Sequence, residues 1–229
     1  MTSISLKNKN LATIQVDLDG LWTTLEYYGH HQECWPDHFF EKAIPRYLDL
    51  FKKYNIKATF FLIGKDGEVP EKVAIIKRIK DEGHELANHT YSHPFGFRSL
   101  SPQQQHDEIV KGEEVIRQIT GKSPSGFKAP GYDMDHLLLQ TLREKGYSYD
   151  SSMIPTFVYP IIMRINNIFS GGVPRTHGPK WYWAIAPNKP YFPSFSSEWR
   201  RKSISLNDRK QNLLEIPSSV IPFFRLPFH

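Results

Sequence analysis

Apolar runs and helical stripes alternate along the first two thirds of this chain, and that alternation constrains the fold more than any other feature. KATFFLIG (57–64) is continuously apolar and ends on glycine, as a strand buried on both faces does. LATIQVDLDG (11–20) is an apolar run closed by acids and a glycine, a strand ending in a loop. Between them Phe39, Phe40, Ile44, Leu48 and Phe51 stand at helical spacing. Pro36 suits a first turn there, and Pro45 predicts a bend or interruption. Val73, Ile76 and Ile79 mark a helix over 70–82, and HELAN (84–88) reads as a short strand. Ser101 followed by Pro102 predicts a capped helix running to about Thr120. SGFKAPG is a strand and turn, HLLLQTLREKG a helix with a glycine stop, and YSYDSS a further strand. Strand and helix thus alternate four or five times, the pattern of a parallel α/β sheet or barrel. Chemistry in such folds gathers at the carboxyl ends of the strands.

After about residue 155 the alternation fades, and NLLEIPSSVIPFFRLPFH is the last strand-like piece. A length of 229 residues suits one α/β domain, taken here as 1–229. The chain stops at His229 inside an apolar stretch, so the expectation is a C-terminally truncated chain whose continuation supplies a final strand. The single cysteine, Cys34, excludes an internal disulfide, and MTSISLKNKNLATIQV holds no apolar run long enough for a signal peptide; a cytoplasmic protein is expected. The net charge of +5 favours an anionic contact, a phosphate lipid or the inner membrane surface, against a merely solvated basic surface. No nucleic-acid-binding signature accompanies it, so nucleic acid is not expected as a partner. The basic aromatic run EWRRKSISLNDRK carries the same two readings. YPIIM and VIPFF read as core strands or as peripheral membrane contacts.

The chemistry-bearing residues fall at the strand ends. In ELANHTYSHP, His89 and His93 stand four apart, about one helical turn, so both imidazoles can point one way. They are two ligands of one metal, or two histidines that share a face. Asp17 and Asp19 close the first strand; read as facing opposite sides, they need a twist or bulge near Gly20 to share a cavity. One carboxylate with two imidazoles is a three-ligand set for a divalent metal, and a second carboxylate beside it can take a proton from water. The plain alternative for the acids is a strand-end turn. His30 and His31, near Glu26 and Cys34, mimic a second metal site but read better as loop residues. His84 belongs at a strand start, and His106 and His136 on solvated helix faces.

In this order and on these elements, VDLDG, KATFFLIG, GHELANHTYSH, FKAPGY and YDSS resemble the polysaccharide deacetylase family with the NodB homology domain. The resemblance covers residues 11–155 well and the rest thinly. It implies a distorted, incomplete (β/α) barrel and a metal-dependent hydrolase of carbohydrate metabolism that removes an acetyl or formyl group from the nitrogen of an amino sugar. With no export signal in view, a polymer outside the cell is not expected as substrate, and the sugar would be carried on a nucleotide or phosphate lipid. It implies Asp19, His89 and His93 as ligands of one divalent ion, zinc before Co2+, Ni2+, Mn2+ or Fe2+. Asp17 would be the general base, as in members whose two acids are separated by one residue. Where the acids are adjacent the base falls on Leu18, which cannot serve. Thr90 would support the loop between the histidines.

The family's arginine, proline and glycine motif is represented by Lys128, Pro130 and Gly131, and lysine orients a carboxylate less tightly than arginine's planar fork. The Tyr132 backbone N–H resembles the oxyanion donor. Asp150 resembles the acid of the next strand, with strand capping as its alternative. Departing from the family, no late histidine motif supplies the acid that protonates the leaving amine, and His229 matches it poorly. Two other functions stay open: hydrolysis of non-sugar or cyclic amides, and a catalytically inactive sugar-binding domain.

Overall fold

The structure, a computed structural model, describes residues 12–27, 38–169, 178–194, 196–201, 213–221 and 224–227. The amino-terminal elements are β1 (Gln15–Asp17), α1 (Leu21–Tyr27), α2 (Ile44–Lys53), β2 (Thr59–Leu62), α3 (Gly64–Gly67), α4 (Pro70–Asp81) and β3 (Glu85–Asn88). They are followed by α5 (Pro102–Thr120), β4 (Gly126–Phe127), α6 (His136–Lys145), β5 (Tyr149–Asp150) and α7 (Val158–Phe169). A small antiparallel pair, β6 (Pro193–Ser194) and β7 (Ser197–Arg201), precedes β8 (Leu214–Glu215). Among the described residues the main sheet has six strands in the order β1-β2-β3-β4-β5-β8, every neighbouring pair parallel. β1 and β8 do not pair with each other, so this is the open, incomplete (β/α) barrel that the alternation and the resemblance led one to expect.

Local chemistry explains the element limits. Ser101 accepts a hydrogen bond from Gln104 N–H while the Gln104 side chain accepts from Ser101 N–H, a reciprocal cap that starts α5 at Pro102. Pro45 has no N–H to give the helix that begins around it. The chain ahead widens into a π-helical segment, Phe39–Ala43, in which Ile44 N–H reaches back to Phe39 O before α2 proceeds. The interruption expected at Pro45 is therefore a widened turn upstream of it.

Two apolar clusters flank the sheet. Ile44, Leu48 and Phe51 of α2, with Ile76 and Ile79 of α4, close over Phe60, Leu62 and Leu86. Ile109 of α5, Leu138, Leu139 and Leu142 of α6, and Trp183 cover Phe127 and Met153. Leu, Ile and Phe side chains at zero exposure contribute about 1.5–3 kcal/mol each, enough to fix which ends of the strands face solvent.

One segment departs from expectation. YPIIM lies inside α7, not in a core strand, and Ile161 (50% exposed), Ile162 (53%) and Ile165 (50%) remain half open. Pro160 falls in the first helical turn, where the missing N–H costs nothing. Of VIPFF, Val220 bridges Pro227, while Pro222 and Phe223 lie outside the described residues. No helix among the described residues is long and apolar enough to cross a membrane. His30, His31, Cys34, His229 and most of EWRRKSISLNDRK also lie outside the described residues.

Candidate metal and hydrolytic site

Strand ends bring the site together. Asp17 is the last residue of β1, Asn88 of β3, Phe127 of β4 and Asp150 of β5, all on one rim. Residues two apart line one face of an extended chain, so Asp17 and Asp19 reach the same cavity without a bulge. The β1–β2 register is regular, and Leu18 between them points away into the core at 0% exposure. The expectation of opposite faces and a bulge is corrected by that period of two.

Asp19 Oδ1 stands 3.4 Å from His89 Nε2 and 3.7 Å from His93 Nε2. One ligand atom from each of the three residues lies within 4.8 Å of the others. His89 and His93 form a buried floor, while Asp19, with 41% of its side chain exposed, stands at the mouth. His89 Nδ1–H donates to Lys128 O at 2.6 Å, which fixes the ring and aims Nε2 into the cluster. Both ring nitrogens of His93 are buried without a hydrogen-bond partner among the described residues. An orphaned buried imidazole is costly unless something coordinates it, and unpartnered ring nitrogens of this kind fit a metal ligand.

The charges agree. Burial alone would raise Asp19, but its hydrogen bond to His89 and the charges of His89, His93 and Lys128 bring it down to about 2. Burial and the neighbouring His89 push His93 down to about 4, so it presents a neutral lone pair at neutral pH. For His89 burial acts downward, and the bond and charge of Asp19 outweigh it upward.

The histidines do not share a helix face. They sit on an irregular loop whose backbone turns left-handed at Thr90 (φ 68°) and His93 (φ 54°). Such conformations persist in non-glycine residues only where surroundings over-determine them. Thr90 Oγ1 accepts His93 N–H at 3.1 Å, and Thr90 N–H donates to Asn88 Oδ1 at 3.0 Å. Glu108 of α5 accepts from Tyr91 N–H, Ser92 N–H and Ser92 Oγ–H at 2.8–3.1 Å. Sequence reasoning missed Glu108, because an acid on a polar helix looks like any solvated one. It missed Gly112 as well, which lets α5 touch Asn88 and Thr90 directly.

Lys128 follows β4 and reaches back to Asp17, with Nζ 2.8 and 2.7 Å from the two carboxylate oxygens. Burial works against the charge on this lysine, and the charge and hydrogen bond of Asp17, with the charge of Asp19, outweigh it. Its ammonium also lies over the Phe61 and Tyr132 rings, 5.4 and 5.1 Å from their centroids. The lysine in place of arginine thus grips both oxygens of Asp17. The turn that follows holds buried Pro130, exposed Gly131 (φ 59°) and Tyr132 (φ 58°). The Tyr132 N–H, the expected oxyanion donor, makes a long 3.3 Å bond to Ala129 O within the turn. Asp150, expected beside substrate, is fully buried and accepts from Ser152 N–H and Oγ–H at 3.3 and 2.7 Å. Its geometry fits the capping alternative, since both of its oxygens are engaged by Ser152 just past the strand end. His84 precedes β3 and accepts Ala58 N–H, and His106 and His136 are exposed on helices.

Residues 34–149, half of the chain, match the family model of the polysaccharide deacetylases; the chain belongs to that family. The match contains His89, His93 and Lys128, and β1 carries Asp17 and Asp19 to them from outside it. A peptidoglycan deacetylase of Helicobacter pylori is 32% identical over 166 residues, 70% of this chain and 55% of that protein. A peptidoglycan-N-acetylglucosamine deacetylase of Bacillus cereus is 40% identical over 86 residues, 38% of this chain and 30% of that one. This chain thus spans about half, or less, of the length of these relatives. A crystal structure from Mycobacterium smegmatis classed with the polysaccharide deacetylases superposes with a TM-score of 0.58 at 18% identity, over 93% of this chain and 63% of that one. That likeness establishes the fold.

Proposed function

We propose that the chain is a metal-dependent N-deacylase of an amino sugar, with acetyl as the first acyl group to test and formyl as the second. The observation that carries this is the juxtaposition of two kinds of carboxylate: Asp19 against two histidines, and Asp17 beside it in the grip of Lys128. Asp19, His89 and His93 would hold a divalent ion, zinc first. When bound, such an ion supplies Lewis acidity and makes water a nucleophile at neutral pH. Asp17 accepts the water's proton on its carboxylate, and Lys128 keeps that carboxylate oriented as the charge changes. Tyr132 N–H offers a donor to the developing oxyanion once it exchanges its long turn bond for the substrate oxygen. His89 stays aimed through its bond to Lys128 O, so ligand and base orientation depend on one short segment.

The finer reading is a sugar carried on an apolar or phosphate-bearing group at a membrane surface. It is supported by the half-open isoleucines of α7 together with exposed Trp181 and Ile185, alongside Arg164 and Lys180. Tyr159 of α7 lies 6.1 Å from the Tyr132 ring, which places this face beside the turn. The deciding experiment measures acetate and formate release from N-acylated amino sugars with zinc added, alongside a cyclic imide. Acid release from the sugar that is lost in Asp17→Asn supports the proposal. A chain that binds the sugar without hydrolysing it, or that opens only the imide, refutes it.

A further inference from the structure

Behind the turn, two carboxyl groups face each other in the closed part of the sheet. Asp150 and Glu215 are register partners across β5 and β8, both at 0% exposure, so their side chains stand side by side on one face of the sheet. Glu215 Oε1 accepts Met153 N–H at 3.0 Å, but Oε2 is buried with no donor among the described residues. Asp150 receives both donors of Ser152. Two ionised carboxylates in contact and away from water repel strongly. A proton between them provides the donor that Oε2 lacks.

The pair is linked to the site. Ser152 Oγ, which donates to Asp150, accepts Ala129 N–H at 2.8 Å. Ala129 is the residue between Lys128 and Pro130. Ser151 ties the same corner to β8, its Oγ donating to Ile216 O at 2.6 Å. We propose that Asp150 and Glu215 share a single proton, and that this buried pair, acting through Ser152 and Ala129, positions the turn that carries Lys128 and Tyr132. Glu215 is then a positioning residue; its catalytic consequence rests on the deacylase reading, and its effect on the turn does not.

The titratable groups around the pair act in one direction. Tyr149, next to Asp150 on β5, points to the other face, where its hydroxyl donates to Glu85; Tyr191, bridged to Glu215, faces the pair with Glu198 and Arg201 behind. Burial pushes both phenols up, so they stay neutral. Burial raises both carboxyls, and the charge of Asp150 raises Glu215 further. Because the folded values lie above the unfolded ones, this contribution to stability is complete below the ordinary carboxylate range. It is lost as pH rises through the raised folded value.

The test compares the wild type with Glu215→Gln and Glu215→Leu. Three quantities are followed against pH: melting temperature, hydrogen exchange at the Ala129 amide, and kcat and KM for acyl release. The glutamine amide donates to Asp150 at every pH. The wild type should therefore lose stability and Ala129 protection on the alkaline side, whereas Glu215→Gln should not. Leucine, which leaves Asp150 without its donor, should speed Ala129 exchange by ~10-fold or more at all pH. It should lower kcat by roughly 10-fold with KM nearly unchanged. Identical pH dependence of stability and exchange in wild type and Glu215→Gln overturns the proposal, and so does a Glu215→Gln chain that fails to fold. If the wild type hydrolyses no amino sugar, the stability and exchange measurements still decide the pair. Only the deacylase reading then falls.

Discussion

Gly112→Ala opposes two effects whose sizes can be compared. Gly112 sits inside α5, where alanine alone would stabilise the helix by about 1 kcal/mol. A methyl group there would collide with Asn88 Oδ1, and it would come within 3.0 Å of the Thr90 carbonyl carbon and oxygen. Neither neighbour can retreat freely. Asn88 also donates to Ile109 O and Tyr147 Oη, at 2.9 and 2.8 Å, and Thr90 O accepts Gly64 N–H at 2.9 Å. Overpacking at such a site costs about 1–3 kcal/mol, and freeing the buried Thr90 N–H from Asn88 costs about 1–3 kcal/mol more. The balance is a net loss of roughly 1–5 kcal/mol, with melting lowered by about 2–4 °C for each kcal/mol in a chain of this size. Because Thr90 lies between the two histidines, zinc affinity should fall too, by ~10-fold, the scale for a disturbed supporting contact. Chemical denaturation and zinc titration on the same variant provide the measurement. A variant as stable as wild type or more so, with unchanged zinc affinity, would refute the close contact and with it the role of α5 in shaping the loop.

His93→Ala should abolish stoichiometric zinc binding while leaving the fold intact, as read by elemental analysis and circular dichroism; full retention of metal would remove His93 from the ligand set. Asp17→Asn should keep the metal and lower turnover by at least about 100-fold; equal damage from Leu18→Ala with a harmless Asp17→Asn would reassign the base. Glu108→Gln keeps an acceptor but not the charge that receives three donors, and should weaken zinc binding less than Glu108→Ala, measured by competition with a chelator. Zinc affinity should decline as pH drops through the raised value of His89, because the ion must displace its proton; isothermal titration in buffers of different ionisation enthalpy counts that released proton.

Periodic segments were legible in the sequence because burial imposes the period. Phe60, Leu62, Ile76 and Ile79 had to face apolar neighbours, and Ser101 with Pro102 had to start a helix. The histidine loop was legible only in its composition. Left-handed backbone at Thr90 and His93 has no residue-type signal, since it is enforced by the neighbouring Asn88 together with Glu108 and α5 from further along the chain. Glu215 did leave a trace, an acid inside the apolar run LLEIP, where only a buried partner makes the residue tolerable. The helical state of YPIIM was hidden because a short apolar run carries no decisive period.

The strand β1 is three residues long and, among the described residues, lies at one edge of the sheet and pairs only with β2. Gln15 meets Thr59 across a long intervening stretch, so closing that loop is an entropically late event in folding. Both acids of the site arrive with this one strand. Before it docks, a newly made chain offers two imidazoles and no carboxylate, a weak and incomplete set of ligands. With the proposed ligand set, metal capture would mark completion of the fold: in refolding with zinc present, burial of Trp183 should precede metal uptake, and a chain trimmed of β1 should keep most of its core and hold no ion.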